Sequence, residues 1–168
     1  MVKILGLEAL TYELLIDIGI PFLAIVFFLE GSLFGKLLPT DFILPAAVVL
    51  YATQTRHYFL LVTFTALSST IGQYWLLIQV RKNKEKILEH RYIKVAEDKL
   101  EKAEDKFERH GLKAVFISNM IPGVRGFLTI PAGMERTKPW KFVLVSGAGT
   151  AIYHSTLVAI GIGIVTIF

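Results

Sequence analysis

The sequence predicts an all-α integral membrane protein made of two inverted repeats. Each repeat is a re-entrant helical hairpin followed by a transmembrane helix, and an amphipathic cytoplasmic helix joins the two. Three observations carry this prediction. Hydrophobic residues make up 54% of the 168 residues, with a mean hydropathy of +0.57, which exceeds what a soluble domain of this size carries. Two apolar blocks are long enough to cross a bilayer without a charge. Two shorter apolar stretches are interrupted by proline, glycine and charge, and one such stretch precedes each long block. The whole chain reads as a single membrane domain over residues 1–168.

Residues 1–17 form the first element. Glu8, Glu13 and Asp17 interrupt any apolar core a cleavable signal would need. Leu7, Leu10, Leu14, Leu15 and Ile18 recur at helical spacing, so this segment reads as an amphipathic helix lying in the interface. Residues 18–52 form the first re-entrant hairpin. An apolar arm ends at Glu30, glycines and Lys36 follow, Pro39 and Asp41 break the run, and a second arm leads to Tyr51. An arm of about ten residues rises only about 15 Å, half of a hydrocarbon core of about 30 Å. Residues 57–80 hold no Asp, Glu, Lys or Arg over 24 positions, enough to span with some tilt.

Residues 81–111 differ in kind. From Arg81 to Lys113 there are eleven Lys or Arg against eight Asp or Glu, a basic excess that assigns the segment to the cytoplasmic side. Leu88, Tyr92, Val95, Ala96, Leu100, Ala103 and Phe107 share one helical stripe, and Gly111 is a suitable stop. Because acids alternate with the bases, the net charge of +4 does not point to nucleic acid. Residues 112–134 form the second hairpin, broken by Pro122 and Pro131, with Arg125 near its middle. Residues 140–168 close the chain, uncharged over 27 positions from Phe142.

Arg125 is the most informative single residue. A guanidinium among apolar residues at membrane depth costs roughly 2.5–3.5 kcal/mol unless it is paired or faces water, and broken backbone there survives only inside protein or against a cavity. Its functional reading is a fork of donors for a phosphate head group; its structural reading is snorkelling, or an ion pair with Glu30 or Asp41. Glu30 and Asp41 are candidate proton carriers, with partnership to Arg125 as the structural alternative. Asn119 divides evenly between binding and satisfying the broken backbone. Pro39 and Pro122 read as hairpin breakers, His57 and His154 as packing or interface residues. Leu44-Pro45-Ala46-Ala47 after the first breaker echoes Ile130-Pro131-Ala132-Gly133 after the second. With the matching hydropathy this suggests the inverted repeat, whose broken helices meet near the midplane at the substrate site.

Several spaced motifs then resemble one family. They are Phe107-Glu108-Arg109-His110-Gly111, Pro122-Gly123-Val124-Arg125, Pro131-Ala132-Gly133-Met134, and Phe142 with Gly147. Glu30, Pro39, Asp41, Pro45-Ala46-Ala47 and Gly72-Gln73-Tyr74 fit in the first half. Over roughly residues 20 to 165 the chain resembles the DedA family, also called the VTT or SNARE-associated Golgi protein family. That resemblance implies two re-entrant hairpins in a multi-pass plasma-membrane protein that flips or scrambles a lipid phosphate, a polyprenyl phosphate or a phospholipid, in some members with protons. It implies membrane carboxylates at Glu30 and Asp41, and head-group binding by Arg125, Gly123 and position 119. Where the family carries a further Arg, this chain has Asn119, and a neutral amide binds an anion less tightly. The alternatives are a proton-coupled transporter of a small ion and, less favoured, an enzyme acting on a lipid phosphate. With no Cys, no Ser–His pairing and four His outside metal spacing, the sequence calls for no metal, no cofactor and no catalysis. A homodimer would suit so few spans.

Overall fold

Among the described residues, Gly31, Gly111 and Pro139 stand at helix boundaries. The computed structural model describes residues 19, 21–33, 40–51, 55–88 and 97–167. The sequence-predicted interfacial helix over 1–17 and the breaker Pro39 lie outside the described residues. Among the described residues every regular element is a helix.

Helix α1 is described over Pro21–Gly31, and Gly19 before it is helical as well. The helix closes through tight turns: Ser32 N–H donates to Phe28 O at 2.9 Å and Leu33 N–H to Glu30 O at 3.1 Å. Leu33 has a φ of 66°, which costs a non-glycine residue about 1–2 kcal/mol. Burial of its side chain among Leu76, Phe127 and Phe142 offsets this. Helix α2, Thr40–Tyr51, carries Asp41 in its first turn and Pro45 inside.

Helix α3, Thr55–Lys82, has 28 residues, about 42 Å at 1.5 Å per residue. Helix α8, Pro139–Ile167, has 29. Both are long and apolar enough to cross a membrane. Trp140 is exposed beside Lys141, whose Nζ lies 5.5 Å from the indole centre, as an interfacial aromatic does.

The charged segment divides. Asn83 interrupts the helix after α3, and a short α4, Lys84–Leu88, follows. Helix α5, Glu97–His110, buries Ala103 and Phe107 in one apolar cluster with Leu77, Val80 and Ile130 and exposes Glu101, Lys102, Asp105, Lys106, Glu108 and Arg109. Asp105 and Arg109 pair at 2.7 Å along its exposed face. Gly111, at φ 54°, ends it with an N–H to Phe107 O at 2.7 Å. Helix α6, Leu112–Asn119, gives way to turns over 120–128, and α7, Thr129–Met134, follows.

Packing is reciprocal. Helices α3 and α8 pack together and run antiparallel, since Thr65 meets His154 while Gln73 meets Ser146 and Thr150. Helix α2 packs on α8, and α7 on α3. Helix α1 lies against α3, where Gly72 admits the Phe28 carbonyl. Helix α6 lies against α8, where a Cβ on Gly149 would stand 2.7 Å from Phe116 O. Two apolar clusters result. One joins Leu76, Leu77, Val80, Phe107, Phe127 and Phe142; the other joins Leu23, Phe27, Leu44, Val48, Leu61 and Leu157.

Candidate functional site

Between those clusters the buried faces of both long helices turn polar. Helix α3 presents Thr65, Ser69 and Gln73, and α8 presents Ser146, Thr150 and His154, each residue at most 1% exposed. Both sets have a spacing of four, so each lines one stripe of its helix. In each helix the stripe lies away from both ends, with apolar core residues on either side. Polar groups this deep must be bonded to one another or to water.

One half of this layer is charged. Glu30, on the last turn of α1, is 6% exposed and receives Ser69 Oγ on Oε2 at 3.1 Å. Arg125 reaches it from the turn segment over 120–128. Gly123 and Gly126, with φ of 74° and 83°, let that backbone reverse in a region L side chains avoid, and this sends Arg125 inward to 3% exposure. Its Nη2 donates to Glu30 Oε1 at 2.5 Å. Its Nη1 lies 2.8 Å from His154 Nε2, and its Cζ stacks 4.5 Å from the Tyr153 ring centre. Tyr153 OH in turn donates to Asp41 Oδ1 at 2.7 Å. Glu30 and Arg125 therefore pair directly across 95 positions of sequence, whereas Asp41 reaches Arg125 only through Tyr153. A buried charge pair of this kind is stable only while both members stay and are further hydrogen-bonded. An anion with oxygens to offer, or a proton on the carboxylate, can exchange one partner of the guanidinium for another.

A family model described as the VTT domain matches residues 38–163. The chain belongs to the VTT domain family. Among curated relatives, "Undecaprenyl phosphate transporter A" of Staphylococcus aureus is 29% identical over 161 residues, covering 92% of this chain and 78% of that protein. Two proteins named "Alkaline phosphatase-like protein" are 29% and 34% identical over 69 residues, 41% of this chain and 32% of each relative; they come from Lactococcus lactis subsp. cremoris and subsp. lactis. No solved structure matches the chain.

The VTT domain's other polar cluster is neutral. Asn119 ends α6 at 1% exposure. Its Nδ2 donates to Gln73 Oε1 at 3.1 Å, Ser146 Oγ at 2.9 Å and Ser146 O at 3.2 Å. Ser146 Oγ also donates to Gln73 Oε1, and Gln73 Nε2 to Thr150 Oγ1 at 3.4 Å. Of the sequence-predicted site residues, Glu30, Arg125 and Asp41 come together and Asn119 lies in this separate cluster. Gly123 and Pro122 sit at exposed positions of the turn. The sequence reading did not single out Ser69, Tyr153, Thr65, Gln73, Ser146 or Thr150 as site residues, and it assigned His154 to packing. His154 does pack, edge to face with Phe27 at 4.9 Å, but it also binds Arg125 and Thr65. The signal was present: two polar residues four and eight positions beyond a first, inside uncharged spans.

Proposed function

We propose that this protein carries a lipid phosphate across the membrane, with a polyprenyl phosphate as the favoured cargo. The buried Arg125–Glu30 pair carries the reading. It sets a phosphate-binding fork, already desolvated, against a carboxylate that a proton can neutralise. The relative named an undecaprenyl phosphate transporter, aligned over 92% of the chain, supports the choice of cargo.

In this proposal Arg125 is neutralised by Glu30 at rest. A proton taken up by Glu30 removes the counter-charge. A phosphate oxygen of the head group then accepts from Nη2, while the prenyl tails stay in lipid. When the proton leaves on the other side, the ion pair re-forms and the phosphate is released there. Asp41, half-buried and joined to Arg125 through Tyr153, is the second carboxylate on the proton's route. Gly123 shapes the turn that presents Arg125, and Asn119 joins the head-group site only if a ligand displaces its protein partners.

The same proposal takes the two halves as inverted repeats with re-entrant hairpins at residues 18–52 and 112–134, between an interfacial helix at 1–17, spans at 57–80 and 140–168, and a charged cytoplasmic segment at 81–111 that the structure divides into shorter helices. Reciprocal packing of α2 on α8 and α7 on α3, with α3 and α8 antiparallel, supports this. So does length: α6 and α7, of 8 and 6 residues, rise about 12 and 9 Å, well short of a bilayer core. A multi-pass protein of the cell membrane, able to pair as a homodimer, completes the proposal.

The test is flipping of a polyprenyl phosphate in phosphatidylcholine proteoliposomes, with and without a pH gradient. Wild type should flip it, Arg125→Ala should not, and Glu30→Gln should lose the response to the gradient. Proton flux without the lipid, and no flipping, would move the reading to a small-ion transporter. Release of inorganic phosphate would move it to an enzyme.

A further inference from the structure

We infer that His154 is a positioning residue for Arg125, holding the guanidinium in place without neutralising it when Glu30 lets go. This rests on the reading of Arg125 as the phosphate-binding group.

The ring's protonation follows from its partners. Arg125 Nη1, 2.8 Å from His154 Nε2, can only donate, because a guanidinium has no acceptor. Nε2 must therefore offer its lone pair. On the other side, Nδ1 lies 2.9 Å from Thr65 Oγ1. Thr65 Oγ1 is also 2.7 Å from Leu61 O, a carbonyl that can only accept, so the hydroxyl hydrogen goes there and its lone pair faces His154. Nδ1 must carry the proton. Both ends require one state, a neutral imidazole with its hydrogen on Nδ1. A proton on Nε2 would set a second cation against the guanidinium and break this contact. The charged and titratable groups near the ring are Arg125 on the turn segment, Glu30 behind it on α1, Tyr153 on the same helix, and Asp41 bonded to Tyr153.

Neutrality is the useful property. Two acceptors hold the two terminal nitrogens of Arg125, one charged (Glu30 on Nη2) and one uncharged (His154 on Nη1). If both were carboxylates, the cation would be over-compensated and a phosphate would be repelled. With His154 in the second position, protonating Glu30 leaves a full positive charge. Its fork stays aimed by the imidazole and by the Tyr153 face, so the orientation is fixed before the ligand arrives. Thr65 acts one step further out, by fixing the tautomer.

Met and Gln are close in length and flexibility, but Gln keeps a carbonyl acceptor for Nη1 where Met offers only a weakly accepting thioether. In the proteoliposome assay, His154→Met should raise the half-saturating concentration of polyprenyl phosphate by about tenfold to a hundredfold, the effect of one hydrogen bond to a charged group. His154→Gln should stay within about threefold of wild type, and Thr65→Val should fall between them. Equal concentration dependence in His154→Met and His154→Gln, both folded by circular dichroism, would overturn the inference while leaving the transport reading intact. Wild type that flips nothing would sink the transport reading. In that event ¹⁵N spectra of histidine-labelled protein still decide the tautomer, the His154 signal being assigned by its loss in His154→Gln. A protonated Nδ1 and bare Nε2 are expected, and a protonated Nε2 would overturn the inference.

Discussion

The two halves of the buried polar layer are built alike and differ in charge. Each is formed where the stripe of α3 faces the stripe of α8, and each is closed by a residue from a helix end or turn. Arg125 and Glu30 close the charged half; Asn119 closes the neutral half. In the neutral cluster donors and acceptors are matched within the protein: Gln73 Oε1 takes hydrogens from both Asn119 and Ser146, and its amide gives one to Thr150. Nothing is gained there by exchanging a partner. In the charged cluster, on the proposed transport reading, a proton or an anion changes which partner wins. The difference teaches that a buried network of neutral groups fastens helices together, whereas a buried ion pair of similar size can also be switched.

The largest effect should come from breaking the charged half. Arg125→Ala leaves Glu30 buried without its partner, which costs about 3–5 kcal/mol, and flipping should fall at least about a hundredfold, given the several-kcal/mol value of a charged contact. Chemical denaturation and the proteoliposome assay measure the two losses. The double substitution Glu30→Leu with Arg125→Met then sharpens the point. Replacing a buried pair by apolar residues of similar size is often neutral for stability, so denaturation should recover most of the loss while transport stays absent. Recovery of transport as well would mean that the pair only holds the fold.

Breaking the neutral half should do the reverse at smaller scale. Asn119→Ala removes the donor that satisfies Gln73 Oε1 and Ser146, at about 1–3 kcal/mol. Flipping per folded molecule should stay within about threefold of wild type. A selective rise in half-saturating lipid concentration would instead assign Asn119 to the head group. The smallest effect is expected from Tyr153→Phe. It keeps the ring under Arg125 and deletes only the bond to Asp41, costing about 1.5 kcal/mol, the low end for a hydrogen bond to a charged group because Asp41 is half-buried. The response to a pH gradient should weaken while flipping without a gradient persists.

How far the sequence could be read follows the same division. Charges inside apolar runs are conspicuous, because water would otherwise have to follow them, so Glu30, Asp41 and Arg125 were legible. The two long helices were legible from uninterrupted apolar length. Which carboxylate pairs with Arg125 was not, since Glu30 and Asp41 were equally eligible until the fold brought α1 against α3 at Gly72. Small neutral residues such as Thr65, Ser69, Ser146 and Thr150 are common in membrane helices. Their spacing of four becomes informative only when two helices carry it and face each other. The left-handed Leu33 was hidden for another reason. Nothing in a leucine announces a positive φ; burial of its side chain and the bond from its N–H to Glu30 O hold it there.

The central claim is an exchange at Arg125 between Glu30 and a phosphate, and dipolar recoupling between ³¹P of a polyprenyl phosphate and ¹⁵N of arginine-labelled protein in liposomes tests it directly. The account predicts a short phosphorus–nitrogen contact that disappears in Arg125→Lys without the nitrogen label at that position, and that strengthens in Glu30→Gln. A protein that flips the lipid while Arg125 stays bonded to Glu30 and never approaches phosphorus would contradict it.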